Sequence, residues 1–503
     1  MSYAQNSQNF ESATSYATIW SDTDWKKTNK YVDKQRFRIF RAESEGDARK
    51  VRDLQRMLVR SPATLKVAIR RVTQVNKGKK TPGLDGFRAL NDIERGKLFL
   101  KMKDMNIDLY KPKPVNRIQI PKKNGKTRSL GIPVVMDRVY QEMIRLSLEP
   151  QWEFRFEPTS YGFRPKRRAH DAMARIFHNV RRGNWVYVFE GDFKSCFDTL
   201  DHGFILKQLK GFPYCNVVEK FLKAGYMEDN VFFRTPQGTP QGGLLSPLLA
   251  NIALTGMEDC LGIKYRKRKG PNGSDTFVTM GNYRMTRYAD DFVIFAKSRE
   301  DIEQVPYLLE PYLNERGLIL AEDKTRITHV SEGFNFLGFE TRQQKSGKKQ
   351  CNIKPSKESI KGAKIKLSDT YKRMNGHSVG ELISTVNPIL DGIGNYWKPM
   401  VASYAFAKVD YHVWNLTKRF LTRLHPHKSW KWIIKRYFPP PDKDAKHHDR
   451  WILTDPVTGN QLKKMSWIEI ERHIMVKHNY SPLDKSKSEY FRKRDISTSR
   501  KLR

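Results

Sequence analysis

The sequence is short of cysteine, of long apolar runs and of acid. Four cysteines occur in 503 residues, Cys196, Cys215, Cys260 and Cys351, and no two of them form C-x-x-C. That spacing excludes a zinc ribbon and a disulfide framework, and makes a reducing interior, the cytoplasm, the natural compartment. The one long uncharged run, Thr235 to Met257, contains three prolines and four glycines, so it does not read as a membrane helix. The opening MSYAQNSQNFESATSYATIW lacks the basic-then-apolar order of a secretory signal and the arginine-rich look of a transit peptide. Acid is scarce beside base: 54 Asp and Glu face 93 Lys and Arg, a formal charge of +39. The usual partner of such an excess is a polyanion. With 27 Phe, 21 Tyr and 10 Trp, the chain is too aromatic for a disordered basic tail and has the makings of stacking surfaces.

The length corresponds to roughly three domains. Residues up to about Ser21 are polar and predicted to be poorly ordered. From Trp25 to Arg71 the pattern is helical and basic, with Val51, Leu54, Met57 and Leu58 at three- and four-residue spacing and a break at Ser61-Pro62. KGKKTPGLDG, Lys77 to Gly86, reads as a basic loop. Between about Leu90 and Arg342 the pattern is α+β. RIQIPKKNGKTRSLGIP alternates around Asn124-Gly125, which signals a hairpin. WVYVFEGDF begins as a buried strand and ends on Asp192, and NYRMTRYADDFVIFAKS reads as strand, tight turn, strand. Ser298 is placed to cap a following helix that Pro306 and Pro311 should kink and Gly317 should end. After about Lys345 the text is helical, aromatic and basic as far as Pro439-Pro440-Pro441. The tail carries a compact patch around Trp451 and Trp467 and closes with FRKRDISTSRKLR.

The central chemical signal is Asp290-Asp291, set between two apolar strands. Adjacent carboxylates repel, and such a pair persists when a divalent cation neutralises it. Asp192, 98 positions before Asp290, ends another apolar strand. Strand-end carboxylates side by side could hold two Mg²⁺ ions about 4 Å apart, a clamp suited to a 3′-hydroxyl attacking a triphosphate. The dipeptide alone is commonly only a turn; its context decides.

RYADDF resembles the signature of reverse transcriptases, and five further motifs occur in that family's order: IPKKNGKTRSLGIP, SYGFRPKRRAHDA, GDFKSCFDTLDH, GTPQGGLLSPLLANI and FNFLGF. More narrowly, KGKKTPGLDG, NPILDGIGNYWK and RFLTRLHPHKSWKWIIKRYF resemble the group II intron-encoded reverse transcriptases, or maturases. The resemblance implies an α+β fold with right-hand fingers and palm, the palm an antiparallel sheet with helices, plus a helical thumb and a small basic DNA-binding region. The expected boundaries are an N-terminal extension over 1–86, fingers and palm over 87–345, a thumb or maturase domain over 346–441 and the basic region over 442–503. Relatives often continue into an endonuclease domain with C-x-x-C pairs. None occurs here, so that domain is not expected, and the pairs His425/His427, His447/His448 and His473/His478 are not read as a metal site.

The same resemblance assigns roles. Asp192 and Asp290 would be the principal Mg²⁺ ligands, with Asp291 completing the acidic set and the Phe193 carbonyl adding an oxygen. Lys122 and Arg128 would grip the deoxynucleoside triphosphate, Phe197 would exclude a ribose 2′-hydroxyl, Gln241 would touch the nucleotide, and Lys324 would approach the leaving phosphate. Leu337, Gly338 and Phe339 would contact the primer on its RNA template. The implied partners are group II intron RNA, in a ribonucleoprotein that splices and moves, and target DNA, with no membrane. The host would be bacterial, or the gene an organelle's. A splicing-only maturase and a relative recruited to defence or repair are the alternatives; the three aspartates speak against the first.

Overall fold

The structure is a computed structural model that describes residues 15–121, 125, 127–270, 275–343, 351–441 and 447–500. The chain forms two compact units. The first comprises Met1–Arg168, Phe189–Arg326 and Val476–Arg503; the second comprises Ala169–Val188 and Ile327–Met475. Among the described residues no helix is long and apolar enough to cross a membrane.

In the first unit, three helices follow the basic, periodic pattern: Trp25–Ser44, Ala48–Val59 and Pro62–Arg70. Each start is capped by a short polar side chain: Asp24 accepts from the Lys27 amide, Asp47 from Lys50 and Ser61 from Ala63. Their apolar faces meet in one cluster, Val32, Ile39, Val51, Leu54 and Leu58, against Leu146 of the long helix Val135–Arg155. The expectation of poor order before Ser21 falls partly on 1–14, outside the described residues. From Tyr16 to Trp20 it is corrected: the segment is helical, and Trp20, 2% exposed, packs edge-on against Trp25. An indole that size supplies a burial gain the polar composition hides.

The predicted hairpin forms, β1 (Val115–Pro121) pairing antiparallel with β2 (Thr127–Ile132). Strand β3 (Tyr187–Gly191) ends immediately before Asp192. A short hairpin of β4 (Tyr226–Glu228) and β5 (Val231–Phe233), absent from the sequence reading, extends the first sheet in the order β2-β1-β4-β5. Strands β6 (Lys264–Lys269) and β7 (Asp275–Met280) make a separate antiparallel pair. The strand–turn–strand around Asp290 is β8 (Arg284–Tyr288) and β9 (Asp291–Ala296), closed by a two-residue loop between the paired Tyr288 and Asp291. Ser298 caps the next helix as expected. The helix is split at Gln304: Pro306 sits in the first turn of the second half, Val305–Arg316, which ends on Gly317. The segment 476–495 joins this unit through Lys166 Nζ, 2.9 Å from Asp495, and Arg494, which donates to the Lys166 carbonyl at 2.8 Å.

The second unit holds an antiparallel meander, Phe334–Phe336, Phe339–Gln343 and Cys351–Pro355. It continues into helices Lys357–Arg373, Val379–Trp397, Ser403–Leu424 and Trp430–Tyr437. The last strand is a departure from the all-helical expectation after Lys345. Only Cys351, Ile353 and Pro355 face inward, too few for a legible period. Ser378 and Glu381 form a reciprocal capping box at the start of the second helix.

Candidate active site

Three local choices bring the aspartates together. Strand β9 is apolar at every position after Asp291 and is buried throughout, which anchors the hairpin and leaves its tip as the polar end. Ala289 takes φ +58°, the left-handed conformation a two-residue loop requires. Two glycines then let the backbone close in. A Cβ on Gly162 would lie 2.3 Å from the Ala289 nitrogen, and one on Gly191 would lie 2.2 Å from the Phe292 ring. Neither contact is tolerable for any other residue, so SYG and EGD pack directly onto the hairpin.

The electrostatics follow. Burial holds the Asp290 carboxyl above the usual carboxylate range, and nearby Asp192 pushes it the same way. Asp291 keeps an exposed edge, yet burial and then the charges of Asp290 and Asp192 push it up to about 6. Lys324 answers this charge: its Nζ lies 2.5 Å from Asp192 Oδ2, and that hydrogen bond raises its own pKa. Asp192 and Phe193 are fixed by a β-bridge between Phe193 and Leu320, in which Ala321 donates to the Asp192 carbonyl and Lys194 to the Ile319 carbonyl. Neither bond uses the Phe193 carbonyl. Among the described residues no three His, Cys, Asp or Glu side chains converge as a metal-ion cluster. The donor set nevertheless suits a hard divalent cation: mutually repelling carboxylates, a carbonyl outside the bridge, and one ammonium holding Asp192.

The other predicted residues divide. Arg128 Nε donates to Gln241 Oε1 at 2.6 Å, while the Gln241 carbonyl accepts from Gly131 at 2.6 Å, so β2 and the TPQGG loop are joined twice. Phe197 is 7% exposed, and its carbonyl accepts from Thr239 of that loop at 2.6 Å. Burial raises the neighbouring Cys196 thiol, which therefore stays protonated. Lys122 lies outside the described residues. Leu337 and Gly338 belong to the second unit, where both take positive φ in a hairpin turn between the paired Phe336 and Phe339. Tyr396 donates to the Leu337 carbonyl at 2.8 Å, and Phe339 stacks on its ring.

Sequence reasoning missed the support behind the tip. Arg287 is fully buried, 3.2 Å from Glu157, and donates to the Ala289 carbonyl at 3.3 Å and to Asn251 at 3.4 Å. Asn251 in turn donates to the Gly162 carbonyl at 2.8 Å. The available signal was Arg287 in the strand leading into the acidic turn; an arginine buried there needs a carboxylate partner it cannot find locally.

Comparison with known proteins places the chain by family. Residues 120–341 match the profile of the reverse transcriptase (RNA-dependent DNA polymerase) family, residues 20–102 that of the N-terminal domain of reverse transcriptase, and residues 360–438 that of the group II intron maturase-specific domain. Group II intron-encoded protein LtrA from Lactococcus lactis subsp. cremoris is 33% identical over 346 residues, covering 57% of this chain and 56% of that protein. Protein YkfC from Escherichia coli strain K12 is 34% identical over 330 residues, covering 58% of this chain and 84% of that protein. Among solved structures, telomerase from Candida albicans in complex with a fragment of telomeric RNA aligns with a TM-score of 0.37 and 12% identity, over 65% of this chain and 64% of that one. The chain belongs to the family of group II intron-encoded reverse transcriptases and maturases. It spans just over half the length of LtrA.

Proposed function

We propose that the protein is an RNA-directed DNA polymerase that also binds group II intron RNA as a maturase, assisting splicing and intron mobility. The observation that carries this is the Asp290-Asp291 tip, packed through Gly162 and Gly191 within electrostatic reach of Asp192. Asp192, Asp290 and the Phe193 carbonyl are the groups that would hold Mg²⁺, with Asp291 completing the acidic set. When bound, two such ions supply the charge clamp for an attacking 3′-hydroxyl and a leaving pyrophosphate. The chain's own part is orientation. Arg128, held by Gln241, offers a planar fork to the triphosphate, and Lys122 would offer a second charge. Phe197, immobilised through Thr239, would wall off the sugar's 2′ position, and Lys324 could leave Asp192 for the leaving phosphate.

In this reading β1 and β2 are fingers, β3, β8 and β9 belong to the palm, and the helices after Lys357 are the thumb. The domain boundaries are those expected above, with a DNA-binding region at 442–503. The Leu337–Phe339 turn would meet the primer. The partners would be intron RNA, target DNA and a primed RNA template, in the cytoplasm of a bacterium or in an organelle. Primer extension on an RNA template, with Mg²⁺ as the only variable, tests the first half. Splicing of a group II precursor RNA with and without protein tests the second. Deoxynucleotide incorporation that persists in chelator would overturn the metal assignment.

A further inference from the structure

We infer that His202 is a positioning residue for sugar selection, fixing the GTPQGG loop against the turn that carries Phe197. The inference rests on Phe197 as the group that walls off the 2′ position, as proposed above. His202 closes the motif GDFKSCFDTLDH and is 6% exposed. It opens the helix His202–Gln208, whose start Asp201 caps by accepting from the Phe204 amide at 2.6 Å. The Asp201 amide in turn donates to the Arg316 carbonyl at 3.0 Å. The ring stands on a fixed base.

From that base Nε2 reaches the Gly238 carbonyl at 2.5 Å. A carbonyl only accepts, so Nε2 carries the proton in this bond. Nδ1 is left as a buried atom with no partner among the described residues. A buried polar atom without a partner is a cost that an apolar side chain of similar size would not incur. The donor at Nε2 is therefore the property this position needs.

Three bonds tie the loop to the turn. The Gly238 amide donates to the Leu200 carbonyl at 2.8 Å, the Thr239 amide donates to the Phe197 carbonyl at 2.6 Å, and His202 makes the third. Gly238 takes φ +84°, and a Cβ there would lie 2.6 Å from the Asp198 carbonyl oxygen, so backbone rests directly on backbone. The Gly238 C=O and the Thr239 N–H belong to one planar peptide. His202 grips the oxygen of that plane and Phe197 grips its hydrogen. The imidazole thus sets the tilt of the peptide that holds Phe197. Two residues further on, the same loop carries Gln241 and its 2.6 Å bond from Arg128.

The test measures kcat/KM for single additions of dCTP and of CTP by the full chain, on a DNA primer annealed to an RNA template with Mg²⁺. The readout is the dCTP:CTP ratio, which does not depend on how much of a variant is folded. His202→Leu keeps bulk and removes the donor, and should lower the ratio about tenfold through a looser gate. His202→Gln places its amide nitrogen where Nε2 was, and should return the ratio to within about threefold of the wild type. His202→Asn places it where Nδ1 was and should not. On a Phe197→Ala background His202→Leu should change the ratio no further, because both act through one gate. A His202→Leu chain slower with both nucleotides but unchanged in ratio would mark a merely structural residue and overturn the inference. Gln and Leu variants that behave alike would overturn it too. A Phe197→Ala chain that keeps the wild-type ratio would sink the gate assignment itself. Loss of selectivity in Phe197→Ala beside a fully selective His202→Leu would sink only the role of His202.

Discussion

Arg287→Met removes the guanidinium behind the Asp290-Asp291 hairpin at almost constant side-chain volume. The arginine side chain is fully buried and its partner Glu157 nearly so, at 3.2 Å. Breaking a buried pair from one side leaves an uncompensated charge and costs about 3–5 kcal/mol. Glu157 retains two amide donors, Gly256 and Glu258, each at 2.9 Å, which places the expected loss near the lower end, about 3 kcal/mol. The Ala289 carbonyl loses its donor in the same change, so the damage should be local to the turn that carries Asp290. Native-state hydrogen exchange reads this directly: protection of β8 and β9 amides should fall by about two orders of magnitude, while the helix Ser403–Leu424 is unaffected. Combining Arg287→Met with Glu157→Gln should cost less than the sum of the singles by at least about 1 kcal/mol, because the charge to be neutralised is gone. Strands that keep wild-type protection in Arg287→Met, or strictly additive singles, would refute the reasoning.

Other expectations concern the site itself. Asp290→Asn or Asp192→Asn should abolish cDNA synthesis while leaving RNA affinity nearly intact, measured by primer extension beside a filter-binding assay; synthesis at the wild-type rate by either would remove the assignment. Phe197→Ala should admit ribonucleotides in a competition with deoxynucleotides, and Cys196→Ala should not; an unchanged preference in both would mean the gate lies elsewhere. Because Asp291 holds its proton up to about 6, Mg²⁺ must displace that proton in acid, so the Mg²⁺ concentration for half-maximal synthesis should rise as pH falls below about 6. The same raised value implies that this group's contribution to metal-free stability is full below about 4 and lost as pH rises through about 6. Asp291→Asn should flatten that window in a denaturant titration, and an unaltered pH profile would count against the burial of this carboxyl.

The parts that were legible in the sequence are those set by local rules. The hairpin around Asp290, the break at Ser61-Pro62, the Ser298 cap and the Gly317 stop all rest on residues within a few positions of one another. The acidic set was legible because adjacent carboxylates between apolar strands are chemically conspicuous. What escaped was long-range. Nothing near Arg287 announces Glu157, which is 130 positions away, and nothing near Gly162 announces Ala289. The β4–β5 hairpin was hidden for another reason. Val231, Phe232 and Phe233 are all exposed, so no inward-outward alternation marks them as a strand.

The interleaving of the two units has a consequence for biosynthesis. The first unit is left unfinished at Arg326 and is completed only when Val476 and the residues after it are made. At about 5–20 residues per second, the 149 intervening residues, Ile327–Met475, take roughly 7–30 s to emerge. During that interval the helix Trp25–Ser44, with Lys26, Lys30 and Lys34, lacks the segment 479–487 that lines the same cavity in the finished unit. The nascent chain is thus a polycation next to the ribosome's own RNA before the residues that complete its first unit have been made.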